Sequence, residues 1–204
     1  MGRCSDAKQR LMEAVLELIW KGSYGATTID QICDRAGVKK GSFYYFFESK
    51  ADLAVAELDA DFKVKRPVFD EIFSPSVAPL ERIRNYCGYM FKRQSELKCQ
   101  CGSVLGCPLF TLGAEVCNQE EKLRAKVQEI MDTHARYIAT AVRDAHAQGL
   151  FQADDVSAKI RMLGAYIEGL MTQARIRNDV NVLKEMLPGI YQILGVKETQ
   201  AKAA

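Results

Sequence analysis

Proline is scarce in this chain, five residues in 204, and the β-branched alternation that marks strands is nearly absent. Apolar residues instead recur every three to four positions, which reads as an all-helical protein. No apolar run approaches the roughly 18 residues that a membrane span needs. The opening Met1-Gly2-Arg3-Cys4-Ser5-Asp6 lacks the apolar stretch of a signal peptide. A cytoplasmic protein with no membrane partner is expected. Excess charge is missing too: the formal net charge is +2. A nucleic-acid binder would have to gather its basic groups locally. Paired carboxylates, a nucleotide-binding glycine loop and a metal-ligand pattern are all lacking, so neither an enzyme nor a cofactor is expected. Hydrophobic residues make up 48% of the chain, enough for a substantial core.

Cysteine is the residue present in surplus. There are seven, an odd number at irregular spacings in a chain that is not small, which argues against a disulfide scaffold. Free thiols in a reducing compartment fit better. Cys99-x-Cys101 is too tight for a structural zinc site and no histidine is near in sequence, so no metal is expected. Cys33 and Cys87 read as small buried hydrophobes. Cys107 precedes Pro108 at a helix start, where the helix dipole would favour a thiolate. It and Cys117 are the candidate redox-active thiols.

About nine helices are predicted. Leu11, Ala14, Val15, Leu18 and Ile19 form the first stripe, with Ser5 or Asp6 as cap and Gly22 and Gly25 at its end. Thr28 and Gln31 make a capping box for a second, short helix, and Ser49 with Asp52 makes another for the fourth. Pro67, Pro75 and Pro79 predict a loop with an apolar turn over residues 67–79. Helices are expected at roughly 79–96, 109–117 and 119–148. Two more, 155–177 and 180–195, follow, the former capped by Asp154 or Asp155. The expected organisation is one domain over residues 1–50, a second, helical domain over 51–197, and a frayed tail over 198–204.

Residues 29–47 have the layout of a helix-turn-helix. Gly37 can take the positive φ that a sharp turn between helices needs, and Val38 plugs the corner. Lys39, Lys40, Gly41 and Ser42 open the second helix, where free N–H groups favour phosphate. Lysine and serine can donate to base edges or phosphates, and Gly41 permits close approach. Tyr44 and Tyr45 add donor hydroxyls on rigid rings. Phe43 and Phe47, four apart, face inward as anchors. Residues 1–50 carry eight basic against six acidic side chains, so bulk electrostatics help only slightly.

The stretch from Ala26-Thr27-Thr28-Ile29-Asp30-Gln31 through Ala36-Gly37-Val38-Lys39-Lys40-Gly41-Ser42-Phe43-Tyr44-Tyr45-Phe46-Phe47 to Ser49-Lys50-Ala51-Asp52-Leu53 resembles the DNA-binding signature of TetR/AcrR-family repressors. The resemblance implies a three-helix DNA-binding domain followed by a helical ligand-binding and dimerisation domain. It implies a repressor that leaves double-stranded operator DNA when a small-molecule effector binds. By resemblance, Thr28 and Lys50 contact phosphates, Lys40, Ser42 and Tyr45 read bases or sugar-phosphate, and Tyr44 braces a phosphate. Three positions depart from the pattern: Lys39 replaces a small polar cap, Phe46 a His or Tyr, and Ser23 a Gly.

Gly106-Cys107-Pro108 through Glu115-Val116-Cys117 resembles a subgroup of that family with repressors that sense electrophiles and oxidants through a cysteine at the position of Cys107. Those sensors pair the cysteine with a lysine, and here Arg175 takes its place. Arginine does not readily lose its proton, which disfavours a reversible sulfur–amine bond. Ordinary ligand sensing is the first expectation. Phe91, Leu112, Met131, Tyr137, Tyr166 and Met171 are its candidate pocket lining, against a plain reading of each as core. A palindromic operator calls for a homodimer. The apolar stripes of the last two helices supply it, with Leu163, Ile167, Leu170, Leu183, Leu187, Ile190 and Leu194 as interface candidates. The alternatives are a cysteine-based electrophile- or redox-sensing repressor and, more remotely, a helical interaction module without DNA binding.

Overall fold

Helix ends in this protein are set largely by local side-chain chemistry. The computed structural model describes residues 2–116 and 120–196, with side chains from residue 6 onward. Among these residues there is no strand. The helices are α1 (Gly2–Lys21), α2 (Ile29–Ala36), α3 (Lys40–Phe46), α4 (Lys50–Ile72), α5 (Pro79–Cys101), α6 (Pro108–Val116), α7 (Glu121–Ala147), α8 (Val156–Arg177) and α9 (Met186–Leu194), with a 3₁₀ helix at Val180–Glu185. Thr28 caps α2 through the complete capping box with Gln31, an arrangement that contributes about 1 kcal/mol. Ser49 Oγ accepts from the Asp52 N–H at the start of α4, and Asp155 accepts from the Ala158 N–H at the start of α8. Pro79 and Pro108 occupy first-turn positions, where a missing N–H costs nothing.

Several boundaries differ from the sequence expectation. Helix α1 begins at Gly2, ahead of Ser5 and Asp6, so Asp6 does not start it. Pro67 lies inside α4 instead of opening a loop. A proline there removes the hydrogen bond to the carbonyl of Lys63, and this stretch of α4 is largely exposed, so water can satisfy that oxygen. The break comes at residues 73–78, pinned by Arg82. This residue is 3% exposed, and its guanidinium donates to the Val77 carbonyl (2.7 Å), the Pro75 carbonyl (3.2 Å) and the Asp144 carboxylate (2.6 Å). Helix α5 runs five residues past its expected end, and the last expected helix is divided into the 3₁₀ helix and α9. Cys117 and the tail 198–204 lie outside the described residues.

The chain forms two compact units, residues up to 65 with 108–131, and 66–107 with 132 onward. In the first, α1 packs on α2 and α3, α2 on α3, and α6 on α1. Leu11, Val15, Ile32, Phe43, Leu53 and Leu123 are fully buried. In the second, α5, α7, α8 and α9 bury Leu80, Ile83, Val142, Leu163, Ile167, Met186, Ile190 and Leu194 in one core. Gly189 on α9 forms a notch for Tyr166: an added Cβ would lie 1.9 Å from its hydroxyl oxygen. That hydroxyl donates to the Glu185 carbonyl.

The loop between α5 and α6 is stitched by two amides. Asn178, in the left-handed region at φ 48°, accepts from the Val104 N–H (2.9 Å) and donates to the Gly102 carbonyl (3.2 Å). Asparagine tolerates that backbone better than most residues. Gln94, 2% exposed, takes both polar groups of Gly106, each at 3.0 Å.

Glu57 on α4 is the acidic group most at odds with its surroundings. It is 7% exposed and its Oε2 has no hydrogen-bond partner. Burial, reinforced by Asp61 and Glu13 and opposed by Lys65, pushes its carboxyl up to about 7. The folded state therefore holds a proton that the unfolded chain releases near its ordinary value of 4.5. Stability is full below that lower value and declines as pH rises through about 7. The total loss is up to about 3 kcal/mol. Urea unfolding between pH 5 and pH 8 should show this decline, and Glu57→Gln should flatten it and be the more stable protein at pH 8.

Candidate nucleic-acid interface

Helix α3 presents a reading surface because its apolar side is anchored. Phe43 is fully buried and Phe47 nearly so, with ring centroids 6.1 Å apart. Burying each such side chain is worth roughly 1.5–3 kcal/mol. The anchors turn Tyr44 (54% exposed) and Tyr45 (74% exposed) outward. Lys39, Lys40 and Gly41 are also exposed, and Ser42 is half-buried. Gly37 has φ +63° and closes α2, so the turn is as the sequence predicts. Val38 is half-buried at the corner. Lys39 caps α3 by position alone, without a side-chain hydrogen bond.

The charges near α3 are partly paired. Lys40 Nζ lies 2.8 Å from the Asp30 carboxylate of α2, which holds the ammonium above its ordinary value. Arg35 on α2 pairs with Glu17 on α1 at 2.5 Å. Lys50 is committed inward. Its Nζ donates to the carbonyls of Tyr24 (2.6 Å) and Thr27 (2.8 Å) and sits 4.0 Å above the Tyr24 ring centroid. Burial lowers its pKa. Thr28 is exposed, with its hydroxyl engaged by Gln31. All eight expected DNA-site residues thus lie within the first unit, on or beside α2, α3 and the start of α4.

The other expected sites are placed less simply. Leu112 and Met131 belong to the first unit, and Phe91, Tyr137, Tyr166 and Met171 to the second. Met171 is core. Tyr137 donates to Asp70 and packs against Phe69 and Phe73, and Tyr166 fills the Gly189 notch. A small cavity of about 10 Å³ in the second unit is lined by Phe73, Ile83, Tyr86, Ile138, Leu163, Ile167 and Ile190. That is about the space of one water, and none of the expected pocket residues lines it.

Cys107 is half-buried and hydrogen-bonded to Glu168 of α8, a carboxyl that burial pushes up and this bond pulls back. Arg175 reaches the same segment: a Cβ on Gly106 would lie 3.3 Å from Arg175 Cβ. Burial pushes the Cys87 thiol up to about 12, so it is an unreactive core filler, and Cys33 shifts the same way. Gln94, Glu168 and Glu115 are the polar residues near these segments that the sequence did not mark. Glu115 and Glu168 are single acidic residues in apolar stretches, and Gln94 lies within the polar run 92–96, so nothing local singles any of them out.

A short glycine-hinged helix pair with an outward basic and tyrosine face, joined to a larger helical region, defines a helix-turn-helix regulator. Residues 11–56 match the bacterial regulatory proteins of the tetR family, and residues 79–190 match the tetracyclin repressor-like C-terminal domain. The chain belongs to the TetR family of regulatory proteins, and is a DNA-binding regulator and not an enzyme. It is 32% identical to the transcriptional regulator AcuR of Cereibacter sphaeroides over 84% of this chain and 78% of that one. It is 25% identical to the transcriptional repressor NemR of Escherichia coli K12 over 93% and 94%. The crystal structure of a regulatory protein TetR from Rhodobacter sphaeroides superposes with a TM-score of 0.78 at 28% identity, covering 92% of this chain and 98% of that one. No helix among the described residues is long and apolar enough to cross a membrane.

Lys50→Met should expose the structural part of this lysine's role. Removing a charged donor from two carbonyls should lower unfolding stability by about 1.5–3 kcal/mol. Denaturant unfolding beside wild type checks it, and an unchanged midpoint would contradict the geometry.

Proposed function

We propose that the chain is a cytoplasmic, ligand-responsive repressor that binds a palindromic operator as a homodimer and is released by a small-molecule effector. The observation that carries the reading is the anchored α3, with Lys39, Lys40, Gly41, Tyr44 and Tyr45 turned to solvent. In this reading Lys40, Ser42 and Tyr45 read base edges or sugar-phosphate, and Thr28, Tyr44 and the remaining N–H of Lys50 meet phosphates. The second unit supplies the effector response.

The dimer surface in this reading is the outward face of α8. Leu163, Ile167, Leu183, Ile190 and Leu194 are buried within the single chain, and Leu170 and Leu187 pack partly against the same core. They are taken up by the subunit's own interior. The next stripe of α8 carries Met162 (52% exposed), Ala165, Gly169, Thr172 and Ile176 (72% exposed), spaced alternately by three and four. Small residues at its centre allow close helix approach, and alternating three-four spacing suits a second helix packed alongside.

A second reading is cysteine-based sensing, supported by the packing of Arg175 against Gly106, the neighbour of the half-buried Cys107. Alkylation at Cys107 would then weaken operator binding, and Cys107→Ser would abolish the response. An equal response in Cys107→Ser would dismiss this reading and leave the first intact.

Selection from a random duplex pool tests DNA binding directly. The wild type should enrich a palindromic sequence. Lys40→Ala and Ser42→Ala should shift the enriched bases, at about 1–3 kcal/mol per lost base contact. Sedimentation should give twice the chain mass for the wild type, and a monomer without specific DNA binding for Met162→Glu/Ile176→Glu. Failure to enrich any sequence would defeat the reading.

A further inference from the structure

We infer that Glu115 is a positioning residue for DNA binding: its carboxylate holds the turn ahead of α2 and so fixes where the DNA-reading helix pair begins. The inference rests on the first unit being the DNA-binding one.

Helix α1 ends at Lys21; the Gly22 N–H still bonds the Leu18 carbonyl, and N–H groups farther along the turn find acceptors outside the helix. Two consecutive ones point at a single carboxylate ninety residues away. Glu115 Oε2 accepts from the Tyr24 N–H at 2.9 Å, and Oε1 accepts from the Gly25 N–H at 2.6 Å. Such charge-assisted bonds are about twice as strong as neutral ones. The same turn's carbonyls, at Tyr24 and Thr27, are taken by Lys50. The Tyr24 hydroxyl donates to Glu120 at 3.2 Å. The turn is therefore gripped by its donors from α6 and by its acceptors from α4.

The grip has little slack. Within the turn, the Ala26 N–H donates to Ser23 Oγ and the Thr27 hydroxyl to the Ser23 carbonyl. Thr28, three residues beyond Gly25, is the cap that starts α2. A displacement at residues 24–25 thus reaches the helix-turn-helix within one capping residue. On the other side, α6 fits tightly on α7, since a Cβ on Gly113 would lie 3.0 Å from Val127 Cγ1. Helix α7 is tied to α4 by Lys122–Asp52 (3.1 Å) and Lys126–Asp59 (3.0 Å). Helix α6 begins at Pro108, where the chain re-enters the first unit directly after Cys107. It is a rod of nine residues, about 13 Å long, with Glu115 in its last turn.

Gly25 offers a perturbation that removes no hydrogen bond. A Cβ there would lie 3.1 Å from Glu115 Oε1 and push on the same contact.

The test uses the full chain, a duplex of about 30 base pairs selected from a random pool by the wild type, and a random-sequence duplex of equal length. Glu115→Ala should bind the selected duplex about tenfold more weakly while binding the random duplex within about twofold of wild type. Gly25→Ala should show a smaller loss in the same direction, and adding it to Glu115→Ala should cost nothing more. A readout that simple loss of stability would not move is the ratio of selected to random affinity, taken where circular dichroism shows wild type and variants equally folded. Wild-type discrimination in Glu115→Ala, or full additivity with Gly25→Ala, would overturn the inference. If Glu115→Ala does not fold, Gly25→Ala decides, with retained discrimination overturning it. A wild type that selects no sequence fails the DNA-binding reading itself, which is a different result from variants that match a discriminating wild type.

Discussion

A seven-residue helix is too short to hold itself together in water. Nucleation alone makes isolated helices of fewer than about twelve residues marginal. Helix α3 lacks even a side-chain cap at Lys39. Its existence depends on Phe43, fully buried, and Phe47 beside it. Those two rings fix the rotation of α3 about its own axis. Once that rotation is fixed, the exposure of Lys40, Gly41, Tyr44 and Tyr45 follows from helical spacing. The surface that faces outward is a consequence of the surface that faces in.

Each unit holds its irregular backbone with side chains from packed helices. In the first, charged side chains do it: the Glu115 carboxylate takes two N–H groups and the Lys50 ammonium takes two carbonyls of one turn. In the second, neutral amides close the 102–106 loop, with Asn178 at one end and Gln94 at the other. The one buried guanidinium described here, Arg82, is satisfied by two carbonyls and Asp144. In each case a loop that could not form a regular ladder has its polar groups met by a side chain from a packed helix.

What the sequence made legible was what local chemistry decides. Thr28 with Gln31, Ser49 with Asp52, Gly37 at the turn and the Phe43–Phe47 spacing each act within four residues, and each appears as expected. Pro67 misled because a helix interior tolerates proline where the freed carbonyl faces water. The grip of Glu115 on Tyr24 and Gly25 spans ninety residues and has no local mark. Helix α8 carries two apolar stripes, and periodicity alone does not say which one the subunit buries. Leu163 and Ile167 went to the core, and Met162 and Ile176 stayed outside. The expected pocket residues fall in both units, Leu112 and Met131 in the first and Phe91, Tyr137, Tyr166 and Met171 in the second, because the chain crosses between units at residues 65, 107 and 131.

The paired bonds of Gln94 to Gly106 have a mechanical meaning. One rigid amide meets both polar groups of a single residue, so a small slide of Gly106 lengthens both bonds together. Breaking one while keeping the other leaves a buried donor or acceptor unmatched, at about 1–3 kcal/mol. Breaking both leaves two such groups unmatched, so the pair resists displacement of Gly106 as a unit. The segment leading into Cys107 is thereby fastened to α5 at a single residue, by both of its polar groups at once.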